Sequence, residues 1–333
     1  MIVAGTDSDV SVGRYVSSDA AGCVRVWNSC CEGARGLVYQ PLTRDGFVSR
    51  FAGASDYQVV NLVARRSGEV AGFASGTVRA GGEQGYITAV MVREETRRRG
   101  VGRRLLAGLE SALADAAPRI DRYEVMFFNP VTIPWRIPGT DADHPNTPGV
   151  DVASDGYLFL KNHGYRDIVY QNSYYLPLSD YRYPADIKRS IERLAEDGLR
   201  ITRFDRVRHS GLDELFDDLG NEEWREIVTE NLARGEAADP VLVVEHDGRI
   251  CGFTGPTRVQ PSGRGYFAGI GVHSDYRNRG AGKALFAGLC MELKDLGASF
   301  MTLFTGETNP ARGIYEAAGF KIVRTWADMR KPR

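Results

Sequence analysis

Arg277-Asn278-Arg279-Gly280-Ala281-Gly282-Lys283-Ala284 is the stretch of this 333-residue chain whose residue types point most directly to chemistry. Glycines at 280 and 282 remove Cβ atoms, so consecutive backbone N–H groups can converge on an anion where a helix begins. Arg277, Arg279 and Lys283 add charge-assisted donors suited to phosphate. Two other phosphate loops fail on spacing. A Walker A loop needs Gly at 277 and Ser or Thr at 284, where this chain has Arg and Ala. A dinucleotide fingerprint needs a third Gly at 285, which is Leu. The pattern occurs a second time, as Arg97-Arg98-Arg99-Gly100-Val101-Gly102-Arg103.

The two loops belong to an internal repeat at an offset of 180 residues. Gly68-Glu69-Val70-Ala71-Gly72-Phe73 matches Gly248-Arg249-Ile250-Cys251-Gly252-Phe253, and Ala107-Gly108-Leu109 matches Ala287-Gly288-Leu289. Ungapped, 68–109 and 248–289 share 15 identities in 42 positions, far above chance, so the chain is two copies of one domain.

The elements that position the loop read most clearly in the second copy. A helical stretch is expected over Leu212–Leu232, then a hairpin of strands 241–245 and 250–254, then a strand over Gly265–Val272. The loop follows, and after it a helix with Leu285, Leu289, Leu293 and Leu296 on one stripe, closed by Gly297. A short strand over Phe300–Phe304, a short helix over Ala311–Ala318 and a final strand over 319–323 complete the copy. The class is α+β. The expected division is 1–178, a connector over 179–198, and 199–333.

Arg-x-x-Gly-x-Gly between a Val-ended strand and an apolar helix resembles the pyrophosphate loop of the GNAT superfamily of N-acetyltransferases. Asn309-Pro310-Ala311-Arg312-Gly313-Ile314-Tyr315-Glu316-Ala317-Ala318-Gly319-Phe320 is similar to that superfamily's last motif. The repeat then makes this a tandem GNAT protein, each domain a mixed, mostly antiparallel sheet flanked by helices. The resemblance implies acetyl-CoA or another acyl-CoA as co-substrate, its pyrophosphate on 279–284 and its pantetheine arm along Ile270, Gly271 and Val272. It places Asn309 and Arg312 beside that arm and makes Tyr315 the general acid for the departing thiolate. The alternative for Tyr315 is simple packing of the short helix. The acceptor implied is the primary amine of a small molecule; a carrier-protein pantetheine donor, or a module that only binds CoA, remain as other readings. Family members often carry a carboxylate base on the strand before the loop, where this chain has Ala268 and Gly269. Glu307 is then the candidate base, or a solvated loop residue; Glu222, Glu223 and Trp224 line the acceptor cleft, or a plain helix face.

The first copy keeps Val92, Arg97, Arg99, Gly100, Val101, Gly102 and Arg103, a possible second CoA site, but departs beyond the helix. Gly164-Tyr165 matches Gly319-Phe320 at an offset of 155, which puts Leu160 at the Tyr315 position and Ser154 opposite Asn309. The leaving-group acid is missing, so this copy is expected to be structural or to bind CoA without turnover. The extra segment, with Pro134-Trp135 and His144-Pro145, reads either as a wall of the acceptor site contacted by Trp135 or as a packed surface loop.

Composition limits the partners. With 42 basic and 43 acidic residues, net charge −1, the chain is no polybasic binder of nucleic acid or membrane surface. Apolar content of 43% argues for ordered cores, and no run approaches a membrane span. Five unpatterned cysteines and five scattered histidines give no metal or disulfide framework. Met1–Asp9 lacks the basic start and apolar run of a signal peptide, so a cytoplasmic protein is expected.

Overall fold

The computed structural model describes residues 10–32, 37–51, 56–126 and 129–333; the Met1–Asp9 segment read above lies outside them. The chain forms two compact units, Met1–Asn172 with Arg324–Arg333, and Ser173–Val323.

In the first unit, β1 (Val10–Arg14) precedes α1 (Ala20–Cys31) and α2 (Arg44–Phe51). An antiparallel meander follows: β2 (Tyr57–Arg66), β3 (Glu69–Arg79) and β4 (Gln84–Val92). The β2–β3 hairpin turns on Ser67 and Gly68, both at positive φ, which suits the twist of the flanking strands. Helix α3 (Val101–Ala116) leads to β5 (Arg122–Val125), parallel to β4. Short pieces β6 (Trp135–Arg136), β7 (Asp143–His144) and β8 (Val150–Asp151) precede α4 (Asp155–Asn162) and β9 (Arg166–Pro177). Helix α3 buries Leu105, Leu106, Leu109 and Leu113 on one sheet face; α1 and α2 cover the other with Trp27, Phe47 and Phe51 around Phe73. The inserted segment packs inward: Trp135 is fully buried, so its indole offers no surface to a substrate.

The second unit receives β9 from Ser173 onward and adds α5 (Ala185–Glu196), β10 (Leu199–Arg203), α6 (Leu212–Leu219) and α7 (Glu222–Ala233). The single helical stretch expected over Leu212–Leu232 is thus two helices. Gly220, at φ +61°, ends α6, and the Asn221 side chain caps α7 by accepting Trp224 N–H. Then come β11 (Leu242–His246), β12 (Arg249–Val259), β13 (Arg264–Val272), α8 (Ala281–Asp295), β14 (Phe300–Gly306), α9 (Arg312–Ala317) and β15 (Lys321–Pro332). Within the unit the strand order is β9-β14-β13-β12-β11-β10. Helix α8 buries Leu285, Phe286, Leu289 and Leu293 on one face, and α6 and α7 bury Leu215, Phe216 and Val228 against the other. The 179–198 segment is more than a connector: α5 buries Ile187 and Leu194 and belongs to this unit's body.

The final strand is longer than the expected 319–323, and from Arg324 it belongs to the first unit. There Met329, Arg330, Lys331 and Pro332 pair antiparallel with β5, and Trp326 pairs with Asp151 of β8. The residues 324–333, expected in the C-terminal domain, therefore complete the N-terminal one.

Asp328 lies within this strand, 1% exposed. One carboxylate oxygen accepts the Gln171 side-chain N–H at 3.0 Å; the other has no partner among the described residues. Burial pushes its pKa from 3.8 up to about 6. The folded state therefore holds this proton more tightly than the unfolded chain, and stability falls as pH rises from about 4 through 6. Relative to the parent, Asp328→Asn should gain about 2 kcal/mol between pH 4 and pH 7, read from denaturant unfolding at both pH values. Parallel pH profiles would refute it.

Candidate active site

The site forms where two parallel strands part. Strands β13 and β14 pair only at Arg264–Phe300 and Gly265–Met301. At the fork the Arg264 guanidinium donates to the Thr302 carbonyl at 2.6 and 3.2 Å and to the Thr302 hydroxyl at 2.7 Å. Beyond it, no ladder joins the two strands among the described residues, so β13 presents an edge of unpaired backbone groups. The side-chain alternation of β13 also slips here. Phe267 faces Phe286 of α8, as Ile270 and Val272 face the same core, whereas Gly269 and Gly271 face α7 and α6. The change of phase falls at Ala268. In the first unit the corresponding pair carries a β-bulge, with Gly76 opposite Ile87 and Ser75 opposite Ala89 and Thr88 left out of the ladder, whereas the β12–β13 register runs on unshifted.

Gly269 explains the missing carboxylate. A Cβ there would lie 2.6 Å from the Trp224 indole, and one on Gly271 2.5 Å from Leu219. Trp224 occupies the space that an acidic side chain at 269 would need. Of the acceptor-side candidates, Glu222 is paired with Arg225, while Trp224 packs over the strand and on Phe253 at 5.8 Å.

The phosphate loop alternates left-handed residues, Asn278 at φ +62° and Gly280 at +89°; the first unit repeats this with Arg98 at +61° and Gly100 at +80°. Such alternation turns successive N–H groups inward as an anion nest. Helix α8 has no side-chain cap, and its first internal bond is Ala284 N–H to the Gly280 carbonyl at 3.0 Å, so Ala281, Gly282 and Lys283 offer free N–H groups. Arg277 does a different job from the one its type suggests. Its Nε donates to the Val272 carbonyl at 2.9 Å and Nη2 lies 3.5 Å from Asp218, bracing the loop against the strand. Arg97 makes the equivalent bond to Val92, at 3.0 Å. Asp218, a residue the spacing did not single out, also accepts the Ser274 hydroxyl and N–H, which hold its carboxyl below the usual range. Arg279 rests on the Tyr276 ring at 5.8 Å, and Lys283 is exposed.

On α9, Tyr315 is 9% exposed, its ring among Phe286 at 4.9 Å, Tyr174 at 6.0 Å and Phe320 at 6.5 Å. Burial raises its pKa, so the phenol keeps its proton. Its hydroxyl makes no hydrogen bond among the described residues, leaving the donor for a ligand. Asn309 uses its side-chain oxygen to accept Ala311 N–H at 2.9 Å, which keeps its amide N–H groups available. Arg312 is fully engaged, donating to the Tyr174 hydroxyl at 3.0 Å, the Glu307 carbonyl at 2.8 Å and Glu316 at 3.2 Å. Glu307 is exposed in the turn after β14.

The first unit repeats the left-handed alternation of the loop and has no tyrosine at the position matching Tyr315. Leu160 is buried in the core at the position corresponding to Tyr315, and the Ser154 hydroxyl donates to the Asp151 carbonyl at 2.7 Å. Where β4 and β5 part, Asn129 donates to the Thr88 hydroxyl at 2.7 Å, and Val131 and Ile133 of the inserted segment wall the opening.

Forked strands and a nest leading into a helix define, in both units, an acyltransferase scaffold. Residues 25–133 and 204–320 each match the model of the acetyltransferase (GNAT) family, and the chain belongs to that family as a tandem member. Among solved structures, a GCN5-related glucosamine N-acetyltransferase region of a fungal multi-domain GH3 β-N-acetylglucosaminidase shares 19% identity with a TM-score of 0.64. That match covers 96% of this chain but only 38% of the fungal protein. A GCN5-related N-acetyltransferase from Sphaerobacter thermophilus matches at 18% identity and TM-score 0.60, covering 98% and 96% of the two chains. A tandem GNAT protein from the clavulanic acid biosynthesis pathway matches at 17% and 0.56, covering 97% and 98%. No curated protein sequence matches the chain. Among the described residues, no helix is long and apolar enough to cross a membrane and no cluster of His, Cys, Asp or Glu could hold a metal.

Proposed function

We propose that the second unit transfers an acyl group, acetyl in the simplest case, from acyl-CoA to a primary amine of a small molecule. The observation that carries this is the buried Tyr315, packed on Phe286 of α8, the helix whose nest and free N–H groups suit a pyrophosphate. The residues fit the donor: Gly280 takes a left-handed conformation, and Ala281–Lys283 leave N–H groups open. The unpaired edge of β13 from Ala268 to Val272 suits strand-like pairing with a pantetheine arm and supplies an N–H for the thioester oxygen. The amine nitrogen attacks the thioester carbonyl carbon, the C–S bond breaks, and the thiolate takes the Tyr315 proton. With no carboxylate at 268 or 269, the ammonium proton leaves through water, with Glu307 as the candidate base. The first unit, lacking the acid, serves structure or binds CoA without turnover. Thiol release from acetyl-CoA against a panel of amino sugars and amino acids tests the reading. Release that depends on the amine supports it; hydrolysis alone, or no release with any amine, refutes it.

A further inference from the structure

Helix α5 precedes the domain repeat and carries none of its motifs, yet it lies against the phosphate loop. Tyr183, just before it, faces Gly288 in the middle of α8, with its hydroxyl 3.9 Å from where a Cβ would stand. Seven residues further on, Ser190 lies against Gly280, its Cβ 3.6 Å and Oγ 3.7 Å from the corresponding point. Helix α5 therefore runs antiparallel to α8, and its C-terminal half passes the anion nest. Arg193, one turn beyond, donates from Nη2 to the Ser190 hydroxyl at 3.3 Å. That bond fixes one end of an otherwise exposed guanidinium beside the loop.

The charge around it is unbalanced. Arg193 pairs with no carboxylate among the described residues, and neither do Arg279 and Lys283. Its neighbour Arg189 is paired with Asp186, and Arg277 is spent on Val272 and Asp218. The first unit has no counterpart: among the described residues nothing lies within 4 Å of a Cβ built on Gly100. The nest N–H groups with Arg279 and Lys283 suffice for one pyrophosphate, so a further cation on the outer side of Gly280 answers a further phosphate. Resting on the acyl-CoA reading above, we propose that Arg193, held by Ser190, binds the ribose 3′-phosphate of CoA. The donor is then free acyl-CoA, because a pantetheine arm on a carrier protein has no such group.

Acetyl-CoA and acetyl-dephospho-CoA, which lacks only the 3′-phosphate, separate the possibilities by calorimetry and by KM. The wild type should prefer acetyl-CoA by about ten-fold, the size of one charge-assisted contact. Arg193→Ala should abolish that preference, leave binding of the dephospho donor unchanged and leave kcat at saturation unchanged. Arg193→Lys should restore part of the preference, and Arg189→Ala should keep all of it. Equal weakening of both donors by Arg193→Ala would place the residue on the pyrophosphate and overturn the proposal, as would no weakening of either. A wild type that binds neither thioester would overturn the acyl-CoA reading itself, and this inference with it.

Discussion

Tyr315→Phe should lower kcat about 100-fold, the lower end of what a positioned general acid contributes, with KM for the acyl-CoA donor little changed. The substitution removes one oxygen and keeps the ring that packs on Phe286 and Phe320, so the fold should survive intact. The hydroxyl makes no hydrogen bond among the described residues, so deleting it orphans no partner and the loss reads as chemistry. Desolvation raises the phenol pKa, which keeps the acid protonated through the neutral range. No other residue of α9 carries a neutral hydroxyl donor. Thiol-release kinetics at saturating amine and donor measure the effect. Wild-type kcat in the variant would reduce Tyr315 to a packing residue.

Trp326→Ala should cost the first unit about 3–5 kcal/mol, the range for emptying a buried tryptophan site. Trp326 is fully buried and meets Trp135 edge-on, with ring centroids 5.0 Å apart. It lies in the stretch of β15 that joins the first unit, two residues before Asp328. Denaturant unfolding should therefore show one transition moving to lower denaturant while the one belonging to 173–323 stays in place. If instead the transition of 173–323 moves, the assignment of 324–333 to the first unit fails.

Much of this molecule was legible in its residues because repetition and turn chemistry are local signals. The loop, the apolar stripe of α8 and the Gly319-Phe320 ending each declare themselves within about ten residues. Gly220 and Asn221 were an equally local signal, a helix stop followed by a cap, and the 212–232 stretch should be divided there. The harder features are long-range. Nothing in Gly269 reveals that Trp224, 45 positions earlier, fills the place of a carboxylate. Arg277 looks like a phosphate ligand by type, but the nearby Val272 carbonyl is left without a strand partner and takes its Nε. The strand over 321–332 buries four residues in a row, Trp326 to Met329, so it is covered on both faces, and a strand pattern does not name which unit supplies the neighbour. Helix α5 reads as a polar connector by its charged residues, although Ile187, Ile191 and Leu194 at i, i+4 and i+7 form the apolar stripe on which it packs.

The division into units has a consequence for synthesis. The first unit is interrupted by all of 173–323, so its closing strand is made only after the whole second unit has been translated. Until then β5 presents an open edge, the kind of surface that recruits other chains. The second unit is contiguous and can close as soon as Val323 emerges. The half of the chain made last is thus the first able to finish folding, and the older half waits for it.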